Sequence, residues 1–278
     1  MDRTRLKPTV KVIGEFWAQI TEGDGNYRMF EFLEREGAHV QPEAIGTWLT
    51  YLLYHARLQM DPKRGLDSDG VELDRWDLRR RLRTELSFRT RRTLLTVGER
   101  IYTAQYHRVI DQLGGAAHKL LPQEKLAHLA DPFYKSLARG GEGYLEVAKN
   151  IYYNNNQLCH MVLSLKPFGC MPSSQSDGIQ SAVVNRFKDI IFLPIETSGE
   201  GEVNAHSRVQ MTLGEAKAKA KAEFQDALSR GGRSLEEIRD YASRHPELRR
   251  PFYHVPRQNG VAGVAANFIL HVANLMKA

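Results

Sequence analysis

Residues 163–197, LSLKPFGCMPSSQSDGIQSAVVNRFKDIIFLPIET, constrain this chain more than any other stretch, because they read as one strand–loop–helix–strand unit. Met161, Val162, Leu163 and Leu165 form an apolar run suited to a strand buried on both faces. Pro167, Gly169 and Pro172 break that run, and Ser173, Ser174, Ser176 and Asp177 supply side chains able to cap a helix start. Ile179, Ala182, Val183 and Phe187 follow at helical spacing, which predicts about three turns. Ile190 to Ile195 returns as a second apolar run, stopped by Glu196-Thr197-Ser198-Gly199. Two buried strands joined by a helix make a βαβ crossover, a unit that is almost always right-handed. Cys170 falls in the loop just past the first strand, and in open α/β sheets ligands bind at that carboxyl end.

The amino-terminal sixty residues repeat the same logic. Lys11 to Phe16 reads as a short buried strand, and residues 27–35 carry Met29, Phe30 and Leu33 on one helical stripe ending at Gly37. Ala38 to Gln41 predicts a second strand, and Pro42 predicts the start of a helix whose apolar face is Ile45, Trp48, Leu49, Leu52, Leu53 and Ala56. With the later unit, this predicts an α/β protein built on a small parallel sheet of four strands with helices on both sides. In the common strand order 2-1-3-4, the ends of the first and third strands meet at the switch point, which brings Glu15 and Cys170 to one rim. The predicted organisation is a first half of the α/β domain over 1–60, a helical insertion over 61–156, a second half over 157–230 and a carboxyl-terminal extension over 231–278.

The insertion opens with a loop over 61–70 and turns helical from 72 to 111, ending near Gly114-Gly115. Arg75, Arg79, Arg80, Arg81, Arg83, Arg89, Arg91 and Arg92 crowd that helix among Leu78, Leu82, Leu86, Leu94, Ile101 and Tyr102. Such a run is either a solvated helix face or a docking surface for an acidic partner or for phosphates. Nucleic acid is the least favoured partner, because aromatic residues are not interleaved as a stacking platform. Further helices are predicted over 122–129 and 144–153, separated by Gly140-Gly141-Glu142-Gly143. Beyond the turn at 198–202, a long helix is predicted over 203–229, with its Ala/Lys-rich middle, 215–223, largely exposed. Ser234-Leu235-Glu236-Glu237 carries a capping pattern for a short helix, and residues 261–276 are apolar enough to dock on the body.

Composition removes several classes. A hydrophobic fraction of 42% and a charged fraction of 26% belong to a globular chain, and no apolar run approaches the ~20 residues of a membrane span. The first residues, MDRTRLKPTVKV, have no apolar stretch behind their charges and so do not read as a secretory signal. Two cysteines do not make a disulfide framework and point to a reducing, cytoplasmic setting. There is no P-loop, no GxGxxG after a strand and no GxSxG, so ATP hydrolysis and serine hydrolase chemistry have no carrier.

Four kinds of candidate remain. Cys170 reads either as a thiolate metal ligand or redox thiol, beside a helix amino terminus that favours a thiolate, or as a small buried apolar residue. Cys159 lies at the start of the same strand, more than ~30 Å away along an extended chain, and reads as core. Glu15 and Glu196 each end a predicted strand on the same rim and read as proton carriers or as solvated caps. Ser173, Ser174 and Ser176 at a helix amino terminus offer an anion cradle.

Several segments occur in an order that resembles a known family. They are Val12-Ile13-Gly14-Glu15-Phe16, Phe32-Leu33-Glu34-Arg35-Glu36-Gly37-Ala38, Pro167-Phe168-Gly169-Cys170-Met171-Pro172, Pro194-Ile195-Glu196-Thr197 and Val203-Asn204-Ala205-His206-Ser207-Arg208. Together they resemble the 2-hydroxyacyl-CoA dehydratase iron–sulfur component, a family that includes benzoyl-CoA reductase subunits and regions of large acyl-CoA dehydratase activase-type proteins. The resemblance implies a flavodoxin-like (Rossmann-like) domain and a [4Fe-4S] cluster held by cysteines of two such domains, with Cys170 as the ligand from the carboxyl-terminal one. It also implies radical chemistry, in which an ATP-driven activator delivers one electron through the cluster to an acyl-CoA thioester. The family's other cysteine ligands lie in an amino-terminal domain that these residues do not contain, so the resemblance implies a partner chain that carries them. The competing expectation is an assembly subunit that keeps the fold and docks a partner through its arginine-rich helix.

Overall fold

Side-chain alternation along two central strands sets the layers of this protein. The computed structural model describes residues 1–66, 70–74, 76–114, 118–138, 141–199 and 201–277. Asp67, Ser68, Asp69, Arg75, Gly115, Gly140 and Glu200, all assigned roles above, lie outside the described residues. Strands β1 (Thr9–Gly14), β2 (His39–Pro42), β3 (Met161–Pro167) and β4 (Phe192–Thr197) form one parallel sheet in the order β2-β1-β3-β4. The fold is therefore α/β and flavodoxin-like with a helical insertion, and β1 and β3 are the neighbours at the switch point.

On one face Val10, Val12, Met161, Leu163 and Leu165 pack against α1 (Met29–Arg35) and the long α7 (Glu202–Gly231). On the other face Lys11, Ile13, Val162, Ser164 and Lys166 are covered by α2 (Ile45–Leu58), α5 (Gly143–Asn155) and α6 (Met171–Arg186), with α4 (Gln123–Ala130) outside them. The 35-residue α3 (Leu78–Gln112) leans on α2. The carboxyl-terminal α8 (Leu235–Arg244) and α9 (Val264–Leu275) pack with the end of α7 in a separate apolar cluster. Ser234 and Glu237 form the capping box expected at the start of α8.

The structure corrects three local expectations and bears out a fourth. Helix α6 spans 16 residues and starts at Met171, with Cys170 as its cap residue, so the serines lie inside the helix instead of before it. Pro42 closes β2 instead of opening α2, because the Glu43 amide still donates to the Val12 carbonyl at 2.9 Å and extends the ladder. α2 turns Thr47, Thr50 and Tyr51 inward and leaves Ile45, Leu49 and Leu52 exposed, since its inner side must satisfy buried polar groups. The middle of α7 is largely exposed, as expected. Over 215–223 only Ala216 and Ala220 are buried, continuing the stripe of Ala205, Val209 and Leu213, while Glu215, Lys217, Ala218, Lys219, Lys221 and Ala222 face outward.

Candidate functional site

The carboxyl ends of β1 and β3 are held together at Gly14. Its φ of +119° and a place for a Cβ only 2.1 Å from the Leu165 carbonyl oxygen leave room for no other residue. The Glu15 amide then donates to that same oxygen at 2.9 Å, and the Glu15 carboxylate turns back to accept the Ala18 amide at 3.0 Å. One strand over, Cys170 is partly exposed and caps α6, its carbonyl accepting the Ser174 amide at 2.8 Å and the Ser174 hydroxyl at 3.0 Å. The start of α5 is pressed against the same turn, because a Cβ on Gly143 would stand 2.9 Å from the Pro172 carbonyl oxygen. Two helix amino termini and two strand ends thus converge beside Cys170, whose chain neighbours Phe168 and Met171 have exposed side chains.

The structure brings some of the sequence candidates together and separates others. Glu15 and Cys170 share the rim. Glu196 is exposed on β4, on the same face as Lys166. No hydrogen bond or ion pair joins Cys170, Glu15 and Glu196 among the described residues. Ser174 is exposed, but Ser173 and Ser176 are buried, and the Ser176 hydroxyl donates to the Glu146 carboxylate at 2.6 Å. An anion would have to displace that carboxylate, so the three serines do not act as one cradle. Cys159 is core, and burial pushes its thiol up to about 12.

Beneath the rim lies a charged layer that the sequence reading missed. Glu146 on α5 accepts from the Ser164 hydroxyl at 2.6 Å and from Lys166 Nζ at 3.0 Å, and Lys166 also pairs with Asp177 of α6. Glu43 accepts from the Tyr153 hydroxyl at 2.6 Å and the Thr47 hydroxyl at 2.8 Å, with Lys11 Nζ 3.6 Å away. Burial alone would raise the Glu43 carboxyl, but Lys11, Lys149 and the two hydroxyls outweigh it and hold it at about 2. Lys149 is buried between these groups and makes no hydrogen bond or ion pair among the described residues. Its side chain leans toward the start of α5, and its ammonium feels Glu43, Glu142 and Glu146 at longer range. Burial lowers the Lys149 pKa against the pull of those acids. Burial and the nearby Glu15 raise that of Glu142. The signal was present in the sequence: Lys11, Ser164 and Lys166 occupy alternate positions in strands that helices cover on both sides.

No protein-family model, curated protein or solved structure matches this chain.

No group of three or more His, Cys, Asp or Glu side chains able to hold a metal occurs among the described residues. Cys170 offers one thiolate, Cys159 is sealed in the core, and a [4Fe-4S] cluster takes about four protein ligands. This chain alone does not fit the group. No helix among the described residues is long and apolar enough to cross a membrane.

Proposed function

We propose that this protein is one half of a 2-hydroxyacyl-CoA dehydratase-type component, contributing Cys170 as a single thiolate to a [4Fe-4S] electron-transfer or acyl-CoA site that a partner chain completes. The observation that carries the reading is a partly exposed thiol with no side-chain partner among the described residues, at the switch point of a parallel sheet, between two helix amino termini. The exposed Phe168 and Met171 next to it in the chain form an apolar edge suited to being covered. Glu15 and Glu196 flank the thiol as carriers of protons, and the partner supplies the missing cysteines. The setting is the reducing cytoplasm, with an ATP-dependent activator as the electron source.

Anaerobic purification of the protein with its bound partner, followed by iron analysis, tests this reading. The complex is expected to contain iron and to absorb at about 400 nm. Cys170→Ser should abolish both signals and Cys159→Ala should leave them. A partner complex without iron ends the proposal. A second reading, an assembly subunit without catalysis, is favoured by a separate observation: α3 carries nine arginines against three acids, which equals the net charge of +6 of the whole chain.

A further inference from the structure

The two sides of α3 are unlike. Its inner side is anchored by paired charges: Arg57 of α2 reaches Thr96 at 3.0 Å and Glu99 at 2.6 Å, Asp61 meets Arg92 at 2.5 Å, and Arg64 meets Glu85 at 2.7 Å. Phe88 lies on that side between the Arg64 and Arg92 guanidinium groups, with ring centres 5.3 and 5.9 Å from them. The side chains of the outer side are exposed. Leu82, Leu86, Val97 and Ile101 are 45 to 71% exposed there. At helical spacing these four fall within an arc of about 100°, and Arg79, Arg83, Arg100 and Arg108 fall within the same arc. Those four arginines make no hydrogen bond or ion pair among the described residues.

We infer that this outer strip of α3 is the docking surface for an acidic amphipathic helix of a partner polypeptide. A facing helix with apolar residues three and four apart covers the Leu82–Ile101 stripe, and carboxylates flanking its apolar seam pair with the four unpartnered arginines. Charge selects the occupant. A second copy of the chain would set one net positive helix against another, at a cost in repulsion. A membrane-surface helix separates its arginines from its leucines, whereas here they share one arc. The inference deepens the docking reading and makes no use of Cys170.

The test uses the full chain and a fluorescent acidic helix peptide carrying leucines at alternating three- and four-residue spacing with glutamates beside them. Fluorescence anisotropy should show this peptide binding at least about tenfold more tightly than a scrambled peptide of the same composition, and weakening with salt. Leu82→Ser with Leu86→Ser should remove that preference. Arg79→Glu with Arg83→Glu should reject the acidic peptide and accept its lysine-for-glutamate counterpart, which separates lost recognition from lost folding. Equal binding of the scrambled peptide overturns the inference. Tighter binding of single-stranded DNA or of phosphatidylserine vesicles overturns it too, as does a dimer that Leu86→Ser dissociates. If the arginine reversals release a copurifying partner yet the patterned peptide never binds, docking through α3 stands and the amphipathic-helix occupant falls.

Discussion

On one side of the sheet Val10, Val12, Met161, Leu163 and Leu165 meet α1 and α7 through apolar side chains, while on the other Lys11, Ser164 and Lys166 stand among Glu43, Glu146 and Lys149. Both sides are equally closed to water, yet they are held by different physics. The apolar side gains from burial in proportion to area and tolerates changes of shape. The charged side must satisfy every donor and acceptor, because taking ions out of water costs several kcal/mol each before pairing offsets it. A sheet that needed only stability would be apolar on both faces. The charged layer lies directly under the rim where Glu15 and Cys170 end their strands, which places the least forgiving part of the core beneath the candidate site.

The largest test of this contrast exchanges isosteric side chains on each face. Glu146→Gln leaves Lys166 with Asp177 as its remaining charged partner and disturbs the hydrogen bonds from Ser164 and Ser176. Urea unfolding should show a loss of roughly 3 kcal/mol. Leu163→Met on the apolar face should cost less than about 1.5 kcal/mol. Equal losses at the two sites would erase the distinction between the faces.

Acid should find the charged face first. The Glu43 carboxyl is held at about 2 against an ordinary value of 4.5, so its contribution is complete above 4.5 and disappears as pH falls through about 2. That contribution is on the order of 3 kcal/mol. Urea midpoints measured stepwise between these limits should decline in the unaltered protein. Glu43→Gln should lower stability at neutral pH and flatten the decline. A Glu43→Gln protein with an unchanged acid slope would assign the loss to other carboxylates.

What the sequence made legible was whatever depends on local period. The run from Met161 through Thr197 alternates apolar content so plainly that strand, helix, strand and their parallel sense follow from it, and the position of Cys170 at the rim follows in turn. The charged layer was not legible in the same way, since Lys11 pairs with a carboxylate 32 positions later and Lys166 with one 20 positions earlier, and no local pattern encodes such a pairing. α2 shows the same limit. Its apolar stripe, Ile45, Leu49 and Leu52, predicts burial, but Glu43 and Gln123 required Thr47 and Thr50 on the inner side and turned the stripe outward. The serines of α6 were misplaced because Pro172 lets the helix begin at Met171, before any of them.

Lys149 gives the smallest effect and the sharpest one. Every other buried charge under the rim has a partner within 4.0 Å: Lys11 has Glu43, and Lys166 has Glu146 and Asp177. Lys149 has none among the described residues, so its ammonium bears the cost of burial with longer-range attraction in return. Lys149→Met removes that cost together with part of the attraction that holds Glu43 low, so stability should change by less than about 1 kcal/mol. Lys166→Met, a chemically identical change, should instead destabilise the fold by stranding Glu146 and Asp177. If thermal unfolding shows both substitutions equally harmful, Lys149 is bound into the network after all. If only Lys166→Met is harmful, the Lys149 cation is being kept beneath the rim without a gain in stability, and its purpose is to be sought in what the rim binds.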